Sequence, residues 1–178
     1  MKWVHFLCLA YFFCFALAGP LLKIPNALQQ KLEQAIASTF EDENLTISKV
    51  DYSQFKIQKK DELYIFKISK NENLLGYAYL SQANSKHDVY DFVVLYDEDV
   101  KIKKSKILIY RENYGRQVGS QRWLKQFIGM KPGESFNYGK DISAVSGATI
   151  TATSMTKAVQ ISLEDMKAFT KEELKYGN

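Results

Sequence analysis

Four runs in the middle of the chain decide its fold: Leu63-Tyr64-Ile65-Phe66-Lys67-Ile68, Leu74-Leu75-Gly76-Tyr77-Ala78-Tyr79-Leu80, Tyr90-Asp91-Phe92-Val93-Val94-Leu95-Tyr96 and Lys106-Ile107-Leu108-Ile109-Tyr110. Each is dense in aromatic and β-branched residues, which fit a pleated, half-buried surface, so each reads as a strand. Asn71-Glu72-Asn73 separates the first two, and Asp97-Glu98-Asp99 follows the third. A parallel crossover needs about a dozen residues or more, so links this short imply antiparallel neighbours. Lys101, Lys103, Lys104 and Lys106 crowd the last link. The favoured reading is a solvated turn or sheet edge, where lysine discourages pairing with another chain. The alternative is a docking patch for an acidic partner.

Helical patterns lie on both sides of this block. After Pro25, the residues Leu28, Leu32, Ala35, Ile36 and Phe40 recur at three- and four-residue spacing and make one apolar stripe. Glu41-Asp42-Glu43-Asn44 ends it, and the glycosylation-type triplet Asn44-Leu45-Thr46 is read as chance. A short helix is expected over residues 120–128, with Trp123, Leu124, Phe127 and Ile128, stopped by Gly129 and Pro132-Gly133. The clearest helix comes last: Ala152, Met155, Val159, Ser162, Met166 and Phe169 alternate in steps of three and four, and Leu163 widens the stripe. The expected class is α+β: an antiparallel sheet flanked by an N-terminal helix and a long C-terminal helix.

The first residues stand apart from this pattern. Met1-Lys2 precedes an apolar run from Phe6 that closes at Ala16-Leu17-Ala18 before Gly19-Pro20. A basic start, a short apolar centre and small residues at Ala16 and Ala18 make a secretory signal with cleavage after Ala18. The rival reading is a retained anchor, but a spanning helix needs about 20 apolar residues, and Pro20 and Lys23 close this run early. The organisation expected is a signal peptide over residues 1–18 and a single domain over 19–178. The mature chain would carry no cysteine and one histidine, His87. That nearly excludes a metal site built from Cys and His. His87 sits in the polar stretch Asn84-Ser85-Lys86-His87-Asp88 and reads as a solvated loop residue rather than a catalyst. With 24 Lys+Arg against 20 Asp+Glu, and no arginine stripe, the charge is too mild for a nucleic-acid partner.

One loop carries chemistry. Asp141-Ile142-Ser143-Ala144-Val145-Ser146-Gly147-Ala148-Thr149-Ile150-Thr151 is rich in small residues and runs into the strongest helix of the chain. Amides at a helix start are unpaired and the dipole is positive there, so the place accepts a phosphate. Ser146, Thr149, Thr151 and Thr153 add hydroxyls. A plain helix cap by Ser or Thr explains the same residues.

Ser146-Gly147-Ala148-Thr149, followed by Ile150-Thr151, resembles the flavinylation motif of FMN-binding domain proteins, such as the C subunit of the sodium-pumping NADH:quinone reductase and the G subunit of the Rnf complex. Tyr110-Arg111-Glu112-Asn113-Tyr114-Gly115 and Trp123-Leu124-Lys125-Gln126-Phe127-Ile128-Gly129 follow the family's order of elements, and the resemblance covers roughly residues 76–169. It implies a bound FMN attached through its phosphate to Thr149, with Ser146, Gly147, Ala148 and Thr151 around it. Gly147 and Ala148 would leave room for an enzyme to approach the backbone. Tyr114 and Gly115 fall where the family's flavin-contacting loop lies, and Tyr114 reads equally as a ring neighbour or as core or turn packing. No base stands beside Thr149 in sequence, so attachment falls to another enzyme, in this family a magnesium-dependent flavin transferase. The resemblance further implies an exported protein, periplasmic or on the outer face of the cytoplasmic membrane. It would exchange electrons with a membrane redox complex or a small carrier and transform no metabolite itself. Ser143 stands where the family has Asp, and Asp141 lies two residues earlier. That departure leaves two alternatives: a domain that holds FMN non-covalently, and a flavin-free secreted interaction domain of the same fold.

Overall fold

The computed structural model describes residues 24–176 apart from 54, 56 and 58–61. The expected signal segment, with Ala16 and Ala18, lies outside the described residues. Helix α1 spans Asn26–Phe40 and opens after Pro25, whose fixed φ suits a helix start. Five strands follow: β1 Thr46–Lys49, β2 Tyr64–Lys70, β3 Asn73–Asn84, β4 Val89–Asp97 and β5 Ile102–Tyr110. They form one sheet in the order β1-β2-β3-β4-β5, every neighbouring pair antiparallel. Two short 3-10 turns flank the single-turn helix α2, Gln121–Leu124, and the long helix α3 spans Thr149–Tyr176. The class is α+β, with the expected helices on either side of an antiparallel sheet.

The sheet divides the interior in two. Leu28, Leu32, Ala35 and Ile36 of α1 bury against Phe66, Ile68, Ala78, Leu80, Val93, Leu95 and Leu108 on one face. On the other, Ala152, Met155, Val159, Leu163, Met166 and Phe169 of α3 pack with Trp123, Leu124 and Phe127 against Tyr77, Tyr79, Phe92, Val94 and Tyr96. The alternation along β3 and β4 supplies both sets, because successive side chains of a strand point to opposite faces.

Three details differ from the sequence reading. Strand β1 is an extra edge strand, recruited by pairing Thr46–Lys49 with residues 66–69 of β2. It has a single apolar residue, Ile47, so alternation alone gives it little signal. The last link is shorter than expected, so that Lys103, Lys104 and Lys106 lie within β5 at the sheet's edge, in keeping with the edge side of the favoured reading. The turn itself is closed by the Asp97 carboxylate, which accepts from the amides of Asp99 (3.1 Å) and Lys101 (2.8 Å). The helix expected over 120–128 is one α-turn followed by a 3-10 turn, and Ile128 at its end is exposed.

Candidate functional site

Thr149 is the first residue of α3 and is exposed. The Ala148 carbonyl accepts the Ala152 amide at 2.9 Å. The amides of Thr149, Ile150 and Thr151 thus belong to the first turn, which has no partner within the helix. Gly147 takes φ +73°, the left-handed conformation that lets the loop turn into the helix, and a Cβ there would meet nothing within 4 Å. Ser146 is exposed beside it. Ala148 departs from the expectation of open space: it is 5% exposed and belongs to the core on the α3 side.

A second segment, far off in sequence, meets this helix start. Gly115, at φ +73°, lies so close that an added Cβ would stand 2.9 Å from the Tyr110 hydroxyl, 3.4 Å from Thr151 Oγ1 and 3.5 Å from the Ala148 methyl. The Tyr110 hydroxyl donates to the Tyr114 carbonyl at 2.8 Å and sits 3.3 Å from Thr151 Oγ1. Thr151 is 3% exposed, so its hydroxyl faces Tyr110 in the interior and is no cap. Tyr114 is the reverse of core packing, at 75% exposure, and Ile150 is 56% exposed.

Together these segments line a pocket of about 260 Å³. Gly147, Ala148, Thr149, Ile150 and Thr151 come from the helix start, Tyr114 and Gly115 from the facing loop, and Lys86 and Glu112 complete it. Of the sequence-identified residues, six besides Thr149 were named, and all but Ser146 line this pocket with it. Lys86 and Glu112 escaped the sequence reading. Glu112 carries no local signal, because its partners lie 24 to 27 residues away. Its Oε1 accepts from the Ser85 hydroxyl (2.6 Å), the His87 amide (2.5 Å) and the Asp88 amide (2.9 Å). The Ser85 hydroxyl, then the His87 amide, hold its pKa below the ordinary carboxylate value. His87 itself is exposed in this turn, as expected of a loop residue.

The donor set suits a phosphate ester: the first-turn residues Thr149, Ile150 and Thr151, whose amides have no partner within the helix, line the pocket with Lys86, while the Glu112 Oε1 is occupied by its own turn. Residue 143 is tied by its backbone to α2 and the 3-10 turn after it, its amide donating to Gln126 Oε1 and its carbonyl accepting from Trp123 Nε1, both at 2.8 Å. Asp141 is exposed, and its Oδ2 accepts the Asn137 amide at 2.9 Å. Two further grooves, of about 500 and 580 Å³, run along α3 and share Thr153, Lys157 and Ile161. Among the described residues no helix is long and apolar enough to cross a membrane.

No curated protein was found to match the chain. Residues 86–164 match the family model described as the FMN-binding domain. The match takes in β4, β5, α2 and the first half of α3, a narrower span than the resemblance over residues 76–169. It includes every residue lining the pocket, from Lys86 to Thr151, so the segment that is similar to the FMN-binding domain is the one that builds the site.

Proposed function

We propose that the protein is an exported flavoprotein that carries FMN esterified through its phosphate to Thr149 and relays electrons between a membrane reductase and an extracytoplasmic acceptor. The observation that carries this reading is the exposure of Thr149 at the mouth of a donor-lined pocket, where a transferase can reach its hydroxyl. Covalent attachment suits an exported protein, since a dissociated FMN would diffuse away. The pocket, at about 260 Å³, falls below the roughly 300–1,000 Å³ of typical small-molecule sites. It suits the phosphate and the polyol chain, leaving the ring to rest outside against Tyr114 and Ile150, both exposed apolar side chains. When bound, FMN supplies one- and two-electron redox chemistry, and the protein sets its orientation and surroundings. The attaching enzyme in this reading is a magnesium-dependent flavin transferase, because no histidine or cysteine lines the pocket to help activate the Thr149 hydroxyl.

The test is intact-mass analysis of protein exported from cells that express such a transferase. One added FMN less one water is expected, mapped to the peptide containing Ser146 and Thr151. Thr149→Val removes the acceptor hydroxyl and keeps the β-branched shape. It should abolish the adduct while changing stability by no more than about 0.5 kcal/mol, as for an exposed site. An undiminished adduct in Thr149→Val would sink the assignment.

One observation favours a second reading, non-covalent FMN. Ser143 presents a short hydroxyl where the family presents a carboxylate, and the carboxylate of Asp141 stands two residues earlier. In that case flavin colour washes out on denaturation.

A further inference from the structure

The turn formed by Ser85, Lys86, His87 and Asp88 is fastened from outside itself. Ser85 closes it internally, its amide and hydroxyl both donating to the Asp88 carbonyl at 2.8 Å. Glu112 then grips it with one oxygen that takes three donors. Because Glu112 stands two residues before Tyr114, this grip sets the turn against the loop that faces the start of α3. Lys86 lies between two of the gripped residues, Ser85 and His87, and lines the pocket with Thr149.

The charge balance gives the arrangement a purpose. The hydrogen bonds to Glu112 favour its ionised form, so the pocket carries one fixed negative charge. A phosphate ester entering beside it adds more negative charge. The partial positive end of α3 is equivalent to about half a charge and cannot balance both. Lys86 is the one cation that lines the pocket among the described residues.

We propose that Lys86, presented by the Glu112-fastened turn, is the counter-charge for the flavin's phosphate and makes this pocket select phosphorylated flavins over riboflavin. The inference rests on the FMN reading above and deepens it. Lys86 touches the ligand; Glu112 is a positioning residue that acts through the turn.

The experiment uses the full exported chain prepared from cells without a flavin transferase, so that Thr149 is unmodified. FMN and riboflavin are titrated separately, read by flavin fluorescence at several salt concentrations. Wild type is expected to bind FMN more tightly than riboflavin, with an FMN affinity that falls as salt rises. Lys86→Gln should weaken FMN binding by about tenfold or more, the loss of one charge-assisted hydrogen bond. It should flatten the salt dependence and leave riboflavin binding unchanged, while Lys86→Arg keeps the preference. Glu112→Gln keeps the ammonium but removes the ionised grip, and should lower the preference for FMN without abolishing it. Equal loss of both flavins in Lys86→Gln, or an unchanged FMN affinity and salt slope, overturns the assignment of Lys86 alone. A wild-type protein that binds neither flavin also overturns the phosphate-selective pocket, while the FMN reading itself fails only if the intact-mass adduct on Thr149 is missing as well.

Discussion

On one face of the sheet, α1 buries only apolar side chains, Leu28, Leu32, Ala35 and Ile36 against Phe66, Ile68, Ala78, Leu80, Val93, Leu95 and Leu108, and its polar tie to the strands, Lys31 Nζ donating to the Leu108 carbonyl at 3.1 Å, lies at the rim. On the other, α3 buries polar atoms among its contacts. The Tyr79 hydroxyl donates to Asp165 at 2.7 Å, Tyr96 and Ser162 share a hydrogen bond at 2.6 Å, and Thr156 bonds back to the Ala152 carbonyl at 2.8 Å. Burial pushes the phenols of Tyr79 and Tyr96 well above the ordinary value, so both remain protonated donors. The difference separates two tasks. A hydrocarbon face fixes the helix by shape and area and tolerates volume-conserving exchange. A face with buried hydrogen bonds fixes rotation and register of its helix, because a misplaced partner leaves a polar group unpaired. Helix α3 needs that precision, since its first turn must arrive against Gly115.

Removing volume from either face should cost the most. Phe169, 1% exposed, meets Phe55 and Tyr77 edge-on with ring centroids 5.2 and 5.6 Å away, and Phe169→Ala should cost about 3–5 kcal/mol. On the opposite face Ile36→Ala should cost about 2–5 kcal/mol. The comparison is sharpened by flavin: below its lowered melting temperature, Ile36→Ala should bind FMN with an unchanged absorption spectrum. If Ile36→Ala perturbs the bound spectrum while still folded, the two faces are not separate in function.

Next in size is Thr151, the point where α3's first turn is tied to the facing loop. Thr151→Val keeps the packing and leaves the Tyr110 hydroxyl with the Tyr114 carbonyl as its remaining partner. A loss of about 0.5–1.5 kcal/mol in a denaturant midpoint is expected, with the Thr149 adduct retained. An adduct lost together with the hydroxyl would move Thr151 from scaffold to site.

Much of this layout was legible beforehand. The stripes of α1 and α3 follow from spacing, because one buried face imposes one period, and β2, β3 and β4 follow from their density of aromatic and β-branched residues. The meeting of Tyr114-Gly115 with residues 147–151 was legible only through the family resemblance, since nothing local links segments over 30 residues apart. Thr151 read as a cap because its partner, Tyr110, is 41 residues away. Lys86 and Glu112 carry no signal of their own in the sequence for the same reason: their role depends on where two loops meet.

A smaller effect should appear with pH. Glu112 has a lowered folded-state pKa, so its grip on the turn contributes fully above the ordinary Glu value, about 4.3, and is lost as pH falls through the lowered folded value. The groups acting on it are the Ser85 hydroxyl, the amides of His87 and Asp88 and the charge of His87, all of which favour the ionised form. Wild type should therefore lose melting temperature more steeply in acid than Glu112→Gln. Parallel acid curves for the two proteins would show that the grip contributes nothing to the fold.

The smallest expected change in stability is at Ser143, and it bears most directly on attachment. The residue is exposed, and only its backbone is held, by Gln126 and Trp123. Replacing the side chain leaves both bonds in place, so Ser143→Asp should shift stability by no more than about 0.5 kcal/mol. Its carboxylate would stand on the surface near the exposed Thr149 hydroxyl in sequence, on the loop a transferase must handle. The carboxylate of Asp141 stands two residues earlier, where its Oδ2 accepts the Asn137 amide. In a timed reaction with purified flavin transferase, Ser143→Asp should become modified faster than wild type, with the adduct still on Thr149. Modification absent in wild type and present in Ser143→Asp would assign this chain to non-covalent flavin binding. Equal rates in the two proteins would show that the transferase reads the Gly147-Ala148-Thr149 turn and the start of α3 without the side chain at position 143, so the helix N-terminus alone presents the acceptor.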